Sequence, residues 1–164
     1  MILNRSELLK RLAAMSIPVT TVEHPPSMTV EDNNAHNLAL PGAHTKNLFL
    51  KDDKGALVLV VAQSHTKVDL KALGKRLGMG RFSFAKPDVL LTHLGVSPGA
   101  VTAFAIANDT ALKVKLVLDE TLLAADSINC HPLENNATTN IARDDLLRFI
   151  RQSGHEPQIV QLSV

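Results

Sequence analysis

Two apolar strings, residues 45–51 and 56–62, stand on either side of Asp52-Asp53-Lys54-Gly55. Turn-forming residues between two β-prone runs predict a hairpin. The second run, Ala56-Leu57-Val58-Leu59-Val60-Val61-Ala62, is apolar at every position, so its strand has no face it can leave to water. A hairpin covered on both sides needs other layers around it. Helices packed against a sheet are the arrangement that satisfies this demand, and the rest of the chain has to supply them.

The flanking segments read accordingly. Asn4 with Glu7 three positions on starts a capping box, and Leu8, Leu9, Leu12 and Met15 follow at helical spacing, which predicts a helix over 4–16. The β-branched string 17–23 reads as a strand that His24-Pro25-Pro26 stops, and Thr29 can cap a short helix running to Leu38. Asp69 and Gly78 bracket a helix with Leu70, Leu73 and Leu77 on one stripe. Phe82 and Phe84 alternate as in a strand, Asp88 opens a helix that Gly95 ends, and Ser97-Pro98-Gly99 makes a turn. The runs 100–107, 113–119, 127–131 and 158–164 read as strands, and 144–153 as a closing helix before Gly154. No repeat, linker or low-complexity stretch interrupts this order. The expectation is one α/β domain over 1–164 with a mixed sheet.

Several function classes drop out. The longest apolar run is far short of the roughly 20 residues of a membrane span, and the first residues lack a signal-peptide layout, so a cytoplasmic protein with no membrane partner is expected. Cys130 is the lone cysteine, and no two of the seven histidines fall at i, i+2 or i, i+4, so neither a disulfide nor a structural metal is expected. With 17 basic and 16 acidic residues, charge alone neither announces nor forbids nucleic acid. Five Phe and no Trp or Tyr leave little for a base-stacking platform, so any RNA recognition should be of ends and backbone. No P-loop or Gly-x-Gly-x-x-Gly string is present.

The residues that remain able to carry chemistry each admit two readings. Lys46 begins an apolar strand, so its ammonium either reaches a cleft or an anion or snorkels from the strand end. Gly99, in Gly95-Val96-Ser97-Pro98-Gly99-Ala100-Val101-Thr102, lets a ligand approach main-chain N–H groups or serves as a plain connector. His131, before Pro132, faces a site or satisfies a loop carbonyl. The string 131–139 is a polar loop or a set of hydrogen-bonding groups over a pocket. Lys67, Lys71, Lys75 and Arg76 form a basic margin that meets phosphates or simply faces water. Cys130 and His131 are adjacent on a strand and point to opposite faces, which argues against a thiol dyad and makes Cys130 a small buried hydrophobe.

Taken together, Glu23-His24-Pro25-Pro26 with Thr29-Val30-Glu31, Thr45-Lys46-Asn47-Leu48-Phe49-Leu50, the 95–102 string, and His131-Pro132-Leu133 with Ala137-Thr138-Thr139 resemble the YbaK-like prolyl-tRNA editing family. The order and spacing match over nearly the whole chain, and the sequence looks most like the freestanding alanyl-tRNA(Pro) deacylases, ProXp-ala or PrdX. The resemblance implies a mostly antiparallel, barrel-like sheet flanked by helices. It implies trans-acting hydrolysis of the ester between alanine and the terminal adenosine of tRNA(Pro), with no cofactor and no metal. Lys46, Gly99 and His131 match the family's key positions, with Asn47, Val22, Met28, Val30, Val101 and Thr102 about the substrate. Lys46 would hold the phosphate or ribose end, Gly99 and the amides after it would polarise the carbonyl, and His131 would position the aminoacyl group or a water.

The partner implied is the acceptor end of tRNA(Pro), met by Lys51, Lys67, Lys71, Lys75 and Arg76, with prolyl-tRNA synthetase or an elongation factor as a protein partner and no role for DNA. None of the three key residues is an evident nucleophile, so direct attack by water is expected. Rival readings are removal of cysteine or serine from tRNA, a noncatalytic aminoacyl-tRNA binding module, and a small hydrolase using Cys130.

Overall fold

The computed structural model describes residues 2–26 and 40–162. The hairpin forms where the turn residues place it. Strand β2 (Ala43–Asp52) and β3 (Leu57–Gln63) pair antiparallel from Thr45↔Gln63 to Lys51↔Leu57, and β3 is buried on both faces up to Gln63. β2 begins two residues before the apolar string and uses them differently: Ala43 and His44 pair in parallel with Ile128 and Asn129 of β6 (Ser127–Cys130). Its far end pairs antiparallel with β4 (Phe82–Phe84).

Adding β1 (Val19–Glu23), β5 (Val114–Asp119), β7 (Ala137–Ala142) and β8 (Gln158–Val160) gives the order β1-β7-β6-β2-β3-β5-β8, with β4 on β2. The ladders β1·β7, β6·β7, β2·β3 and β2·β4 are antiparallel, and β2·β6, β3·β5 and β5·β8 are parallel. Helices α1 (Arg5–Ala14), α2 (Leu70–Leu77), α3 (Pro87–Leu94) and α4 (Arg143–Gln152) flank this mixed sheet in a single α/β domain, as expected from the sequence.

Local chemistry accounts for the helix ends. Asn4 accepts from the Glu7 N–H while the Glu7 carboxylate accepts from the Asn4 N–H, a reciprocal capping box. Asp69 accepts from the Ala72 N–H at 3.1 Å, and Gly78 closes α2 at φ +67, a conformation that costs glycine nothing. The sheet separates two cores. Phe49, Leu59 and Val61 enter the larger one with Leu8, Leu12, Phe104 and Phe149, while Leu50, Val58, Val60 and Ala62 enter a smaller one under Leu73 of α2.

Three expectations need correcting. The run 100–107 is no strand: 98–100 and 103–108 are 3-10 turns, the second wholly buried through Ala107, with Phe104 edge-on to Phe149 at 5.6 Å. Residues 103–107, all Ala, Phe or Ile, have no period to tell strand from helix, so burial decided it. Residues 137–139, the end of the 131–139 string read as a polar loop or a set of hydrogen-bonding groups over a pocket, begin β7, an interior strand whose polar side chains find cross-strand partners. Thr21 and Thr139 share a hydroxyl hydrogen bond at 2.8 Å, and Asn140 Nδ2 donates to Asn129 Oδ1 at 3.1 Å. The last strand covers only 158–160 of the expected 158–164. The helix expected from Thr29 to Leu38 lies outside the described residues.

One carboxylate pins the hairpin to its surroundings. Asp52 Oδ1 accepts from the N–H of Lys54 (3.0 Å) and Ala56 (2.8 Å), and Oδ2 accepts from Gly80 N–H (3.1 Å) in the α2–β4 connection. These amides, Gly80's first, hold the carboxyl below its ordinary 3.8. A carboxyl depressed in the fold stabilises it above the unfolded-state pKa and loses that contribution as acid protonates it. Asp52→Asn is therefore expected to lower Tm at neutral pH, with the gap to wild type shrinking as pH falls below 3.8. Thermal unfolding across that range checks it, and a gap equally wide at neutral and strongly acidic pH would contradict the pin.

Candidate functional site

Alternation along β2 sorts the expected site residues. Thr45, Asn47 and Phe49 leave one face, the face of the larger core, and His44, Lys46, Leu48 and Leu50 leave the other. The parallel register of Ala43 with Ile128 and His44 with Asn129, carried forward two residues, brings Lys46 level with His131 on one face. The Thr45 hydroxyl, donating to the Asn129 carbonyl at 2.8 Å, holds the two strands together at this level. On the next strand, Cys130 opposes Thr139, so Thr138 falls opposite His131, and Val22 of β1 opposes Thr138. Val22 of β1 and Thr138 of β7 thus share one sheet face, and extending the register places His131, just past the end of β6, and Lys46 of β2 on it.

His131 is buried, and its Nδ1 lies 2.9 Å from the Ala137 carbonyl. Only an N–H can face a carbonyl, so Nδ1 carries the proton and Nε2 of the neutral ring is an acceptor. Burial lowers the His131 pKa, the Ala137 carbonyl opposes this, and His24 adds to the lowering, which favours that neutral form. His24 sits just past β1 with its ring centroid 6.3 Å from that of His131. Its Nδ1 faces the Pro25 carbonyl at 2.7 Å and its Nε2 meets the Thr138 hydroxyl at 2.8 Å. Sequence reasoning gave His24 no role, because a His before Pro-Pro reads as a strand breaker, and it placed Thr138 only within the 131–139 string, read as a polar loop or a set of hydrogen-bonding groups over a pocket.

Gly99 is not joined to this face by any ladder. It lies in the turn 98–100, whose Ala100 is buried in the larger core, the core that β2 enters through the residues on Asn47's side. Asn47 carries a buried Oδ1 without a hydrogen-bond partner among the described residues, and His44 a buried Nδ1 in the same condition. Val101 packs partly buried against the larger core, and the Thr102 hydroxyl is spent on capping the next turn through the Phe104 N–H at 3.4 Å. Met28 and Val30 lie outside the described residues. Among the described residues no three His, Cys, Asp or Glu gather to hold a metal ion, and no helix is long and apolar enough to cross a membrane.

The basic margin is exposed throughout: Lys51 on β2, Lys67 before α2, and Lys71, Lys75 and Arg76 on α2. Arg76 also donates to the Gln161 carbonyl. A groove of about 620 Å³ between α2 and β4 is lined by Leu70, Lys71, Lys75, Met79, Arg81 and Phe82. Arg81 thereby adds a cation to the margin that helical periodicity could not, since it stands three residues beyond the helix stop. A second groove of about 350 Å³, between α2 and residues 160–162, is lined by Lys75 and Arg76. Neither groove includes Lys46, Gly99 or His131.

Cys130 points into the larger core, away from His131, and burial pushes its thiol up to about 12 against the opposing effect of Thr45. A thiol at that value is a thiol and not a thiolate at physiological pH. Thiol reagents at pH 8 are expected to label the native protein slowly and the urea-unfolded protein fast. Rapid stoichiometric labelling of the native fold, with loss of activity, would restore the cysteine hydrolase reading.

The aminoacyl-tRNA editing domain family model matches residues 24–149. Prolyl-tRNA synthetase associated domain-containing protein 1 of Danio rerio is 40% identical over 158 residues, covering 95% of this chain and 86% of that protein. Prolyl-tRNA editing protein ProX of Acetoanaerobium sticklandii is 32% identical over 159 residues, covering 96% and 97%. A crystal structure of a candidate trans-editing enzyme for prolyl-tRNA synthetase superposes with a TM-score of 0.71 over 100% of this chain and 99% of that one, at 19% identity, a likeness of fold. The matched segment contains Lys46, Gly99 and His131 together with His24 at its first position, and on these matches the chain belongs to the aminoacyl-tRNA editing domain family.

Proposed function

We propose that this chain hydrolyses the ester joining alanine to the terminal adenosine of mischarged tRNA(Pro), acting in trans. The observation that carries the reading is the sheet face on which Lys46 stands level with the buried, neutral His131. An ammonium beside a hydrogen-bond acceptor suits a ligand that is anionic at one end and carries an α-ammonium or a water at the other. The relatives are named for prolyl-tRNA editing and for association with prolyl-tRNA synthetase. For this chain we take that synthetase's mischarged product as the substrate.

In this reading Lys46 holds the phosphate or ribose of the terminal nucleotide. His131 Nε2 accepts from the aminoacyl ammonium or from the attacking water. Asn47, on the other face of β2, orients the strand that carries Lys46, and Gly99 polarises the scissile carbonyl through its own main-chain N–H, since the Ala100 N–H is donated to the Ser97 carbonyl at 2.9 Å. Water adds to the carbonyl carbon, the C–O bond to the ribose breaks, and a proton of the water passes to the departing ribose oxygen, which becomes a hydroxyl, a neighbouring hydroxyl of the tRNA assisting the transfer. The ester is already activated, so orientation and charge stabilisation suffice without an acyl-enzyme.

A proline-shaped synthetase pocket rejects alanine weakly, since each missing methylene alters binding by roughly 1–3 kcal/mol. A second, smaller pocket corrects the error by refusing the prolyl ring. Val22 supplies its apolar bulk, with Val101 and Thr102 at its border. Lys51, Lys67, Lys71, Lys75 and Arg76 meet the acceptor-stem phosphates.

Lys46→Ala is expected to reduce deacylation of alanyl-tRNA(Pro) by at least about 100-fold, the scale of losing one charge-stabilising group, while leaving the Tm nearly unchanged. An active, folded Lys46→Ala protein would defeat the assignment. The same assay run on alanyl-, cysteinyl-, seryl- and prolyl-tRNA(Pro) separates alanine editing from its neighbours, and binding without turnover on all four would favour a capture module. Reversing charge in Lys71→Glu with Lys75→Glu is expected to raise KM about tenfold at low salt, narrowing as salt screens the phosphates. A deacylation rate indifferent to both salt and charge reversal would exclude this surface.

A further inference from the structure

The segments carrying the candidate site residues are separate in sequence, yet the first residues of the chain reach those about His24, Gly95 and His131. The Leu3 N–H donates to Asn108 Oδ1 at 2.7 Å, and Asn108 Nδ2 donates to the Leu94 carbonyl at 2.9 Å, just before the 95–102 string. Ile2 lies against Gly95 so closely that an added Cβ there would stand 2.5 Å from the Ile2 methyl. Two residues later, Arg5 donates from Nη2 to Glu23 Oε1 at 2.7 Å and from Nη1 to Glu134 Oε2 at 3.3 Å.

Glu23 immediately precedes His24, and Glu134 lies in the connection between His131 and β7. One guanidinium therefore spans the two backbone segments whose imidazoles stand 6.3 Å apart. Its side chain is only 20% exposed, whereas the two carboxylates are 77% and 46% exposed. Exposed carboxylates contribute little to stability in such pairs. Their geometric effect is larger, because a planar two-pronged donor fixes the separation and orientation of what it holds, which a flexible ammonium does not. The capping box at Asn4 and Glu7 fixes the first turn of α1, and with it the place from which Arg5 reaches.

We propose that Arg5 is a positioning residue that sets the relative placement of the His24 and His131 imidazoles. Its effect on turnover rests on the deacylase reading, whereas its effect on the imidazoles does not.

The test compares wild type with Arg5→Met, which keeps the stem and removes the fork, Arg5→Lys, which keeps the charge, and Glu134→Gln, which keeps Arg5. Imidazole 15N and 13C shifts of His24 and His131 at pH 7 are read beside Tm and the kcat and KM for alanyl-tRNA(Pro). Arg5→Met is expected to move both imidazole signals, lower kcat about tenfold, the cost of a small misplacement at a reacting centre, and leave KM within about twofold. Arg5→Lys should recover the charge but only part of the shifts and rate. Should Arg5→Met fail to fold, Glu134→Gln carries the same comparison.

Unmoved imidazole signals in a folded variant would overturn the proposal. Moved signals with unchanged kcat would equally overturn the positioning role in the reaction. A wild-type protein without deacylase activity would defeat the function reading alone, and the imidazole shifts would still decide whether Arg5 sets the pair.

Discussion

Everything in this domain is referred to β2, because one ten-residue strand serves three ladders at once. Its start is held in parallel by β6, its length by β3 and its end by β4. Since successive side chains alternate, a slip of one residue in any of these ladders would exchange the faces of Lys46 and Asn47 and drive Phe49 or Leu50 out of its core. The apolar residues that fill both cores thus also set where the ammonium points. Packing of Phe49 on one side and Leu50 on the other makes the placement of Lys46 a consequence of burial and not of any bond that Lys46 makes.

Buried carboxylates secure the loops around this frame. Asp52 ties the hairpin turn to the α2–β4 connection. Asp119 accepts from the Gln63 N–H and the Thr66 hydroxyl with Oδ2 and from the Thr121 N–H with Oδ1, linking the ends of β3 and β5. Asp109 accepts from the Lys113 and Val114 N–H groups and meets His155 Nε2 at 2.9 Å. A buried carboxylate is tolerated only when its oxygens are satisfied, and here main-chain amides do most of the satisfying. The connections are thereby tied to the strands they join.

The sheet face is assembled from both ends of the chain. His24 and Lys46 come from the first third, and His131 and Thr138 from the last. Because β7 inserts between β1 and β6, the segment after β1 and the connection after β6 become neighbours, and the paired imidazoles follow from that insertion. The proposed hydrolysis, which relies on orientation and charge without a strong nucleophile, needs such convergence, as no single segment supplies enough of it.

Local signals in the chain were sufficient for much of this. The hairpin about Asp52-Gly55, the capping box at Asn4, the stops at Gly78 and Gly95, and the inert Cys130 are all legible because each depends on near neighbours: a turn that needs glycine, an orphan N–H that needs an oxygen, a strand parity that separates adjacent side chains. The motif strings were sufficient for the family.

What the chain alone could not disclose is whatever depends on contacts distant in sequence. Residues 103–108 are apolar at every position but the last, so only burial made them a 3-10 turn, and Thr138 and Thr139 are polar yet interior because β1 and β6 bring partners to them. The meeting of His24 with His131, the division of Lys46 and Asn47 between two faces, and the reach of Arg5 to Glu23 and Glu134 were decided by tertiary structure. Each is a relation between segments set by strand order and register, which no local propensity encodes.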